Sequence, residues 1–302
     1  MKTSLKWFGI VVGVAVGLLV VGTLALYGLG QARLNKVYEV PLERLPVPDD
    51  EISLKEGKRI FQYRGCEACH GEQLQGVVYM DNPAIGLVVT PNLTGGEGGI
   101  GAQRTDEDLI RAIKHGLGPD GTPLLFMPST EFYYLSDEDL GKVLAYIRSL
   151  PPVDNEPSPS TLSFTGFVVM NVTRDITFLA AEVVPHGETP PPAPEPGITP
   201  EYGQYLSISC MVCHGETYSG GEIPGLPPEW PAAPNLTSGR GSRLPTWGEV
   251  GFIEIIRTGE KHGRSIHTDY MPWTSYRHMT DDELKAVYTY LQSLPPKDFG
   301  NR

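Results

Sequence analysis

The chain has 302 residues, 40% of them hydrophobic and 20% charged, a length that suits about two domains and a composition that excludes both wholesale disorder and a polytopic membrane protein. Thirty-six acids against 24 Lys and Arg give a formal charge of −12, which excludes a general nucleic-acid binder, since that needs a basic footprint. Thirty-five Gly and 28 Pro predict a chain rich in loops and turns, and the four Cys fall in two short clusters.

At the N-terminus, Lys2 and Lys6 precede the uncharged stretch Trp7–Ala32, which Arg33 and Lys36 end. As a helix, 26 residues reach about 39 Å against a hydrocarbon core of about 30 Å. A cleaved leader has an apolar core of only about 7–15 residues, so residues 1–36 are expected to be a cytoplasmic stub and a retained transmembrane anchor. Gly9, Gly13 and Gly17 recur every four residues on one face, where they suit a partner helix in lipid.

A short helix carrying Gly57 and Phe61 is expected next, leading into Cys66-Glu-Ala-Cys69-His70. The spacing C-x-x-C-H recurs at Cys210-Met-Val-Cys213-His214, and the two copies use every cysteine in the chain. A zinc ribbon wants its two C-x-x-C pairs about 15–20 residues apart. Here they are 144 apart, and His follows both times. This is the pattern for covalent attachment of haem c: two thiols form thioethers, and the adjacent imidazole is presented to the iron.

The rest of the first unit also recurs in the second. Pro91-Asn-Leu-Thr94 matches Pro234-Asn-Leu-Thr237, and Met127-Pro128 matches Met271-Pro272. Helices are expected after Thr105 and Thr246 as N-caps. Leu140, Val143, Leu144 and Ile147 repeat with helical spacing, as do Leu284, Val287, Tyr288 and Leu291. Capping boxes are expected at Ser136 with Asp139 and at Thr280 with Glu283, and a Pro-Pro pair stops each closing helix. No stretch repeats the alternation of a sheet.

The duplication selects a second axial ligand. Met80, Met127 and His115 are the donors available in the first unit, but position 224 is Pro and position 258 is Thr. Only Met127 and Met271 duplicate, each 57 residues after its histidine. A lone Met is more often core, but a matched pair at matched distance points to iron.

Between the units, residues 151–200 hold 11 of the 28 prolines, and Pro190–Pro196 reads as an extended spacer. Leu162–Val184 is apolar but contains Arg174 and Asp175, so docking against the haem units or lying on the membrane is expected ahead of a second membrane helix. The expected division is therefore 1–36, 43–153, 154–198 and 199–302. Three further patterns carry nothing. Gly96–Gly101 fits G-x-G-x-x-G without a βαβ unit. The sequons at Asn92 and Asn235 fall in the repeated motif and that at Asn171 in the connecting segment. His186, His262, His267 and His278 have no duplicated partners.

Both units resemble class I cytochromes c, closest to the haem domains of membrane-bound dehydrogenase cytochrome subunits and tandem dihaem carriers. The resemblance implies an all-α fold of two tandem domains after one transmembrane helix. It implies that the first and last helices of each domain cross at Gly57 with Tyr146 and at Gly203 with Tyr290. It also implies that the carbonyls of Pro91 and Pro234 orient the two haem histidines. The dehydrogenase subunits usually carry three haems, where this chain has two attachment sites.

Two function classes are open: a carrier of single electrons, and a haem enzyme such as a dihaem peroxidase. A peroxidase needs an open or displaceable iron position, so two matched Met ligands favour the carrier. The resemblance further implies a single-pass protein of a bacterial cytoplasmic membrane, with its haem domains on the periplasmic or extracellular side, serving a membrane-embedded redox complex or a dehydrogenase. Residues 43–153 carry 17 acids and 10 bases and residues 199–302 carry 12 and 9, so a redox partner with a basic surface is expected.

Overall fold

The computed structural model describes residues 2–173, 176–226, 229–261 and 263–302. Helix α1 (Lys2–Leu34) has one charged side chain in its last turn, Arg33, and is long and apolar enough over Lys6–Leu34 to cross a membrane. Most of its large apolar side chains from Trp7 to Leu29 are exposed, with Leu26 half-buried. Among the described residues no atom approaches within 4 Å of a Cβ placed at Gly9, Gly13 or Gly17.

The first unit opens with α2 (Glu51–Tyr63), whose first turn Asp50 caps by accepting from the Ser53 N–H at 3.0 Å. Next come the one-turn helix α3 (Cys66–His70) and an antiparallel hairpin of β1 (Val78–Asn82) and β2 (Gly86–Val89). Helix α4 (Asp106–His115) starts at the expected Thr105, with a full capping box to Asp108. The short α5 (Ser129–Phe132) precedes the closing helix α6 (Asp137–Ser149), in which Leu140, Val143, Leu144 and Ile147 are all buried. Helix α6 packs across α2 where Gly57 lies.

The connecting segment is more than a spacer. Strand β3 (Thr161–Leu162) adds to β2, and α7 (Phe164–Val172) packs on the end of α1. Gly30 of α1 meets Phe167, Met170 and Asn171, and the Arg33 guanidinium donates to Glu182 at 2.9 Å. Further on, Phe126 N–H donates to Phe178 O at 2.8 Å, and Phe167, Met170, Phe178 and Leu179 form a small core of their own. At nine residues, α7 reaches only about 14 Å and cannot span a bilayer. Arg174 and Asp175 lie outside the described residues.

The second unit repeats the pattern with α8 (Pro200–Leu206), α9 (Cys210–His214), α10 (Leu244–Thr258), α11 (Trp273–Tyr276) and α12 (Asp281–Ser293). A two-stranded ribbon, β4 (Glu260–Lys261) with β5 (Arg264–Ser265), comes after α10. One continuous hydrophobic core draws on both units, from Ile60, Leu140 and Leu144 to Leu206, Leu284 and Leu291.

The fold is mostly helical, as expected, with one small sheet ordered β1-β2-β3 added to the helices, and two local expectations need correction. Strand β1 is exposed on both faces apart from one half-buried residue, so it has no buried side to impose alternation. Thr246 is not an N-cap: with Leu244 and Pro245 in the first turn, the cap position is Arg243, three residues earlier, and the helix kinks at Gly248, where φ is 62°. The box at Ser136 is half made, because Tyr205 of the second unit takes the Asp139 carboxylate, donating to Oδ2 at 2.5 Å. The same hydroxyl accepts the Ser136 N–H at 3.2 Å. The box at Thr280 with Glu283 is complete.

Candidate functional site

In α3 and α9 the two cysteines stand three residues apart, a spacing that puts both thiols on one helix face. All four are half-buried in matched positions, and none pairs in a disulfide. Burial pushes the Cys66 and Cys210 thiols up to about 12, so both are neutral. The adjacent histidines are buried, and loss of solvent pushes each down to about 4, which keeps the imidazole neutral as an iron ligand requires.

Each ring is held by one proline carbonyl. His70 Nδ1 faces Pro91 O at 3.5 Å and His214 Nδ1 faces Pro234 O at 2.8 Å. With Nδ1 donating there, Nε2 carries the free lone pair. The loop behind the ring is built identically twice. Gly76 N–H donates to His70 O at 3.0 Å, and Gly220 N–H to His214 O at 2.9 Å. Leu93 N–H meets Leu74 O, and Leu236 N–H meets Tyr218 O, both at 2.8 Å.

The motif Pro-Asn-Leu-Thr ties that loop to the chain beyond the closing helix. Asn92 Nδ2 donates to Val153 O and Asn235 Nδ2 to Lys297 O, both at 2.7 Å. Thr94 and Thr237 hydroxyls donate back to the two Asn side chains at 2.8 and 2.9 Å. Both asparagines are 0% exposed, so their sequons are part of this lock and closed to a glycan.

Met127 and Met271 pack half-buried against the common core. Each is followed by a Pro with nearly the same backbone angles, φ −82° and ψ 54° at Pro128, φ −77° and ψ 55° at Pro272. In each, a hydrogen bond of 2.8 Å closes back onto the Met carbonyl, from Ser129 N–H and from Trp273 N–H. Of the other donors of the first unit, Met80 is the one half-buried residue of the otherwise exposed β1, and His115 is committed elsewhere, with Nε2 on Glu43 at 3.1 Å and Nδ1 on His186 at 3.0 Å. His262 lies outside the described residues. A pair of thiols, a neutral imidazole and a thioether sulfur are the residue types that a c-type haem uses, and each unit holds them in matching local surroundings.

Several groups at this site leave no mark in the sequence motifs. Arg64 is buried between the units, its Nε has no hydrogen-bond partner among the described residues, and one of its terminal nitrogens donates to Tyr205 O at 3.4 Å. Glu131 of α5 acts on thiols of both units. Arg59 of α2 reaches Glu283 of α12 at 2.7 Å, the counterpart of Tyr205 on Asp139. One signal is available: Gly57 and Gly203 are 146 apart, whereas the cysteines are 144 apart. The first unit therefore carries two extra residues just before Cys66, where Tyr63 and Arg64 stand.

The family model for cytochrome c matches residues 54–151 and 201–295. The chain is 28% identical over 279 residues to the cytochrome subunit of fructose dehydrogenase from Gluconobacter japonicus, covering 85% of this chain and 56% of that one. It is 27% identical over 274 residues to the cytochrome c subunit of the quinone alcohol dehydrogenase of Gluconobacter oxydans, covering 82% and 55%. A diheme cytochrome c-type protein of Cereibacter sphaeroides is 31% identical over 119 residues, 36% of this chain and 40% of that protein. The chain thus spans about half the length of the two dehydrogenase subunits it matches.

Proposed function

Since the chain belongs to the cytochrome c family, we propose that it is a membrane-anchored dihaem cytochrome that passes single electrons from a dehydrogenase or a membrane redox complex to a further acceptor. The observation that carries this reading is the duplicated set of two thiols, buried imidazole, proline carbonyl and Met-Pro hook, built on the same backbone hydrogen bonds in both units. In this reading, residues 43–153 and 199–302 each hold one haem c. Cys66 and Cys69, and Cys210 and Cys213, form the thioethers. His70 and His214 are the proximal ligands, oriented by Pro91 and Pro234, and Met127 and Met271 are the distal ones.

Haem c supplies an iron that changes oxidation state by one electron with little rearrangement. The protein's part would be to keep each imidazole neutral, to fix its orientation through Nδ1, and to offer the Met127 and Met271 sulfurs as the second iron ligands. Two closed positions suit a carrier rather than a peroxidase. Helix α1 tethers the haem units to the membrane on the side where haem is attached after export, and Gly9, Gly13 and Gly17 offer a face to a helix of the partner complex.

Two outcomes test the reading. Washing membranes with carbonate should leave the full chain in the pellet, and extraction in mild detergent should bring down a dehydrogenase subunit with it; release as a species lacking residues 1–32 removes the anchor. The haem units carry excess acid, −7 over residues 43–153 and −3 over 199–302. Electron transfer to a basic soluble cytochrome should therefore slow as ionic strength rises from about 0.01 to 0.1 M, where the Debye length falls from about 30 to 10 Å. A rate that ignores salt, measured by stopped flow, removes the basic partner.

A further inference from the structure

Helix α7 holds no charged residue, and its only polar side chains besides the capping Ser163 are Thr165 and Asn171. A helix apolar nearly all round is ordinarily enclosed, in a protein core or in lipid. One side of α7 is enclosed: Phe167 and Met170 are buried in the small core that also takes Phe178 and Leu179. The other side is open. Phe164, Val168 and Val172 follow at intervals of four and so share a face. Phe164 is 48% exposed, Val172 67%, and Val168 is half-buried. The two polar side chains are spent within the protein. Thr165 Oγ1 donates to Ala84 O at 2.6 Å, and Asn171 Nδ2 donates to Leu26 O of α1 at 3.0 Å.

The height of α7 along α1 indicates what covers the open face. From Trp7, where the uncharged stretch begins, twenty residues of helix rise about 30 Å and end at Leu26. That rise equals the thickness of the hydrocarbon core. Helix α7 meets α1 at and beyond this level. Leu26 O takes Asn171, the Tyr27 and Phe167 rings meet edge to face at 4.8 Å, Gly30 lies against Phe167 and Met170, and Arg33 Nη1 donates to Asn171 Oδ1 at 3.2 Å. Tyr27 is itself exposed, at the height where aromatic rings gather at a membrane surface. The open face of α7 thus continues the lipid-facing surface of α1.

The same helix is fastened to the first haem unit. Ser163 Oγ donates to Ala84 O at 2.9 Å, β3 adds to β2, and the Phe178 ring meets that of Phe126, the residue before Met127, at 4.8 Å. We propose that α7 is a second membrane contact: its Phe164, Val168 and Val172 face beds in the boundary of acyl chains and headgroups where α1 leaves the bilayer, and holds the Met127 side of the first unit at the membrane surface. The proposal rests on the reading of α1 as a membrane anchor. One helix alone leaves a tethered domain free to tilt, whereas a second contact on the same body fixes the side it turns to the bilayer.

The test is photo-crosslinking of the full chain in phosphatidylcholine vesicles, with p-benzoylphenylalanine placed in turn at Phe164, Val168 and Val172, read by mass spectrometry of the peptides. The references are Val16 in α1 and Val250 in α10, both exposed. Adducts with one phosphatidylcholine are expected at Val16 and at the three α7 positions, several-fold above Val250. Yields at the α7 positions no higher than at Val250, with Val16 still adducted, overturn this proposal alone. No adduct at Val16 removes the anchor reading and the proposal with it. In host membranes the same variants should again take lipid. A protein adduct in place of lipid there overturns the proposal and gives the face to a partner subunit. If the Val168 or Val172 variant fails to accumulate, Phe164, where one aromatic ring replaces another at an exposed position, decides by the same criteria.

Discussion

Replacing Met127 by Ala is expected to abolish the methionine-to-iron charge-transfer band of one haem and leave the other, so about half the band remains. The double variant with Met271→Ala should lose it entirely. The affected site should fall to lower potential, because Met/His ligation is what raises it. Met127→His should restore a low-spin spectrum but not the potential. The matched hook is the basis: each Met precedes a Pro of the same backbone conformation and accepts a 2.8 Å hydrogen bond from the residue after that Pro. A purely packing role makes a different prediction. Both side chains touch the common core, so truncation would then cost stability while the band stayed intact. Absorption spectra and potentials of the two single variants separate these outcomes.

The largest effect on stability is expected where the first and last helices of each unit cross. A Cβ at Gly57 would sit 1.9 Å from the carbonyl oxygen of Lys142, and one at Gly203 would sit 2.0 Å from that of Ala286. These are backbone atoms, so no rotamer relieves the overlap. Alanine gains about 1 kcal/mol in intrinsic helix preference over glycine. Forcing two packed helices apart costs roughly 1–3 kcal/mol, and more where backbone must move. The helices also carry the core faces Leu140–Leu144 and Leu284–Leu291. Gly203→Ala should therefore destabilise the protein by about 2 kcal/mol net, or about 4–8 °C in melting temperature for the two units that share one core. Gly22→Ala in α1, which meets no described atom within 4 Å, is the control and should melt like the parent. Calorimetry showing Gly203→Ala equal to that control would mean that the crossing is not tight.

The repeat makes most of this site legible in the sequence. Duplication picks Met127 and Met271 out of several sulfur and nitrogen donors, and period-3.6 patterns place α6 and α12. Those signals are local, or they compare one unit with its copy. What stays hidden depends on neither. The β1-β2 hairpin is exposed on both faces of β1 and leaves no alternation to read. Tyr205 meets Asp139 across 66 residues and Arg59 meets Glu283 across 224, contacts that no periodicity encodes. The start of α10 is hard to read because a plausible capping threonine lies one residue beyond a proline that already stands in the first turn of the helix. The connecting segment looks like a spacer because its prolines dominate the composition, while Phe167, Met170, Phe178 and Leu179 bury themselves only through contacts far along the chain.

The two-haem reading is tested most directly by the mass of the full chain purified from membranes of a host that attaches haem c, read on the intact protein and on its proteolytic peptides. The expected result is two haems per chain, one on the peptide containing Cys66 and Cys69 and one on that containing Cys210 and Cys213, with a pyridine haemochrome spectrum of the same stoichiometry. A chain that carries haem at one cysteine pair only, or at neither while folded and exported, would contradict it.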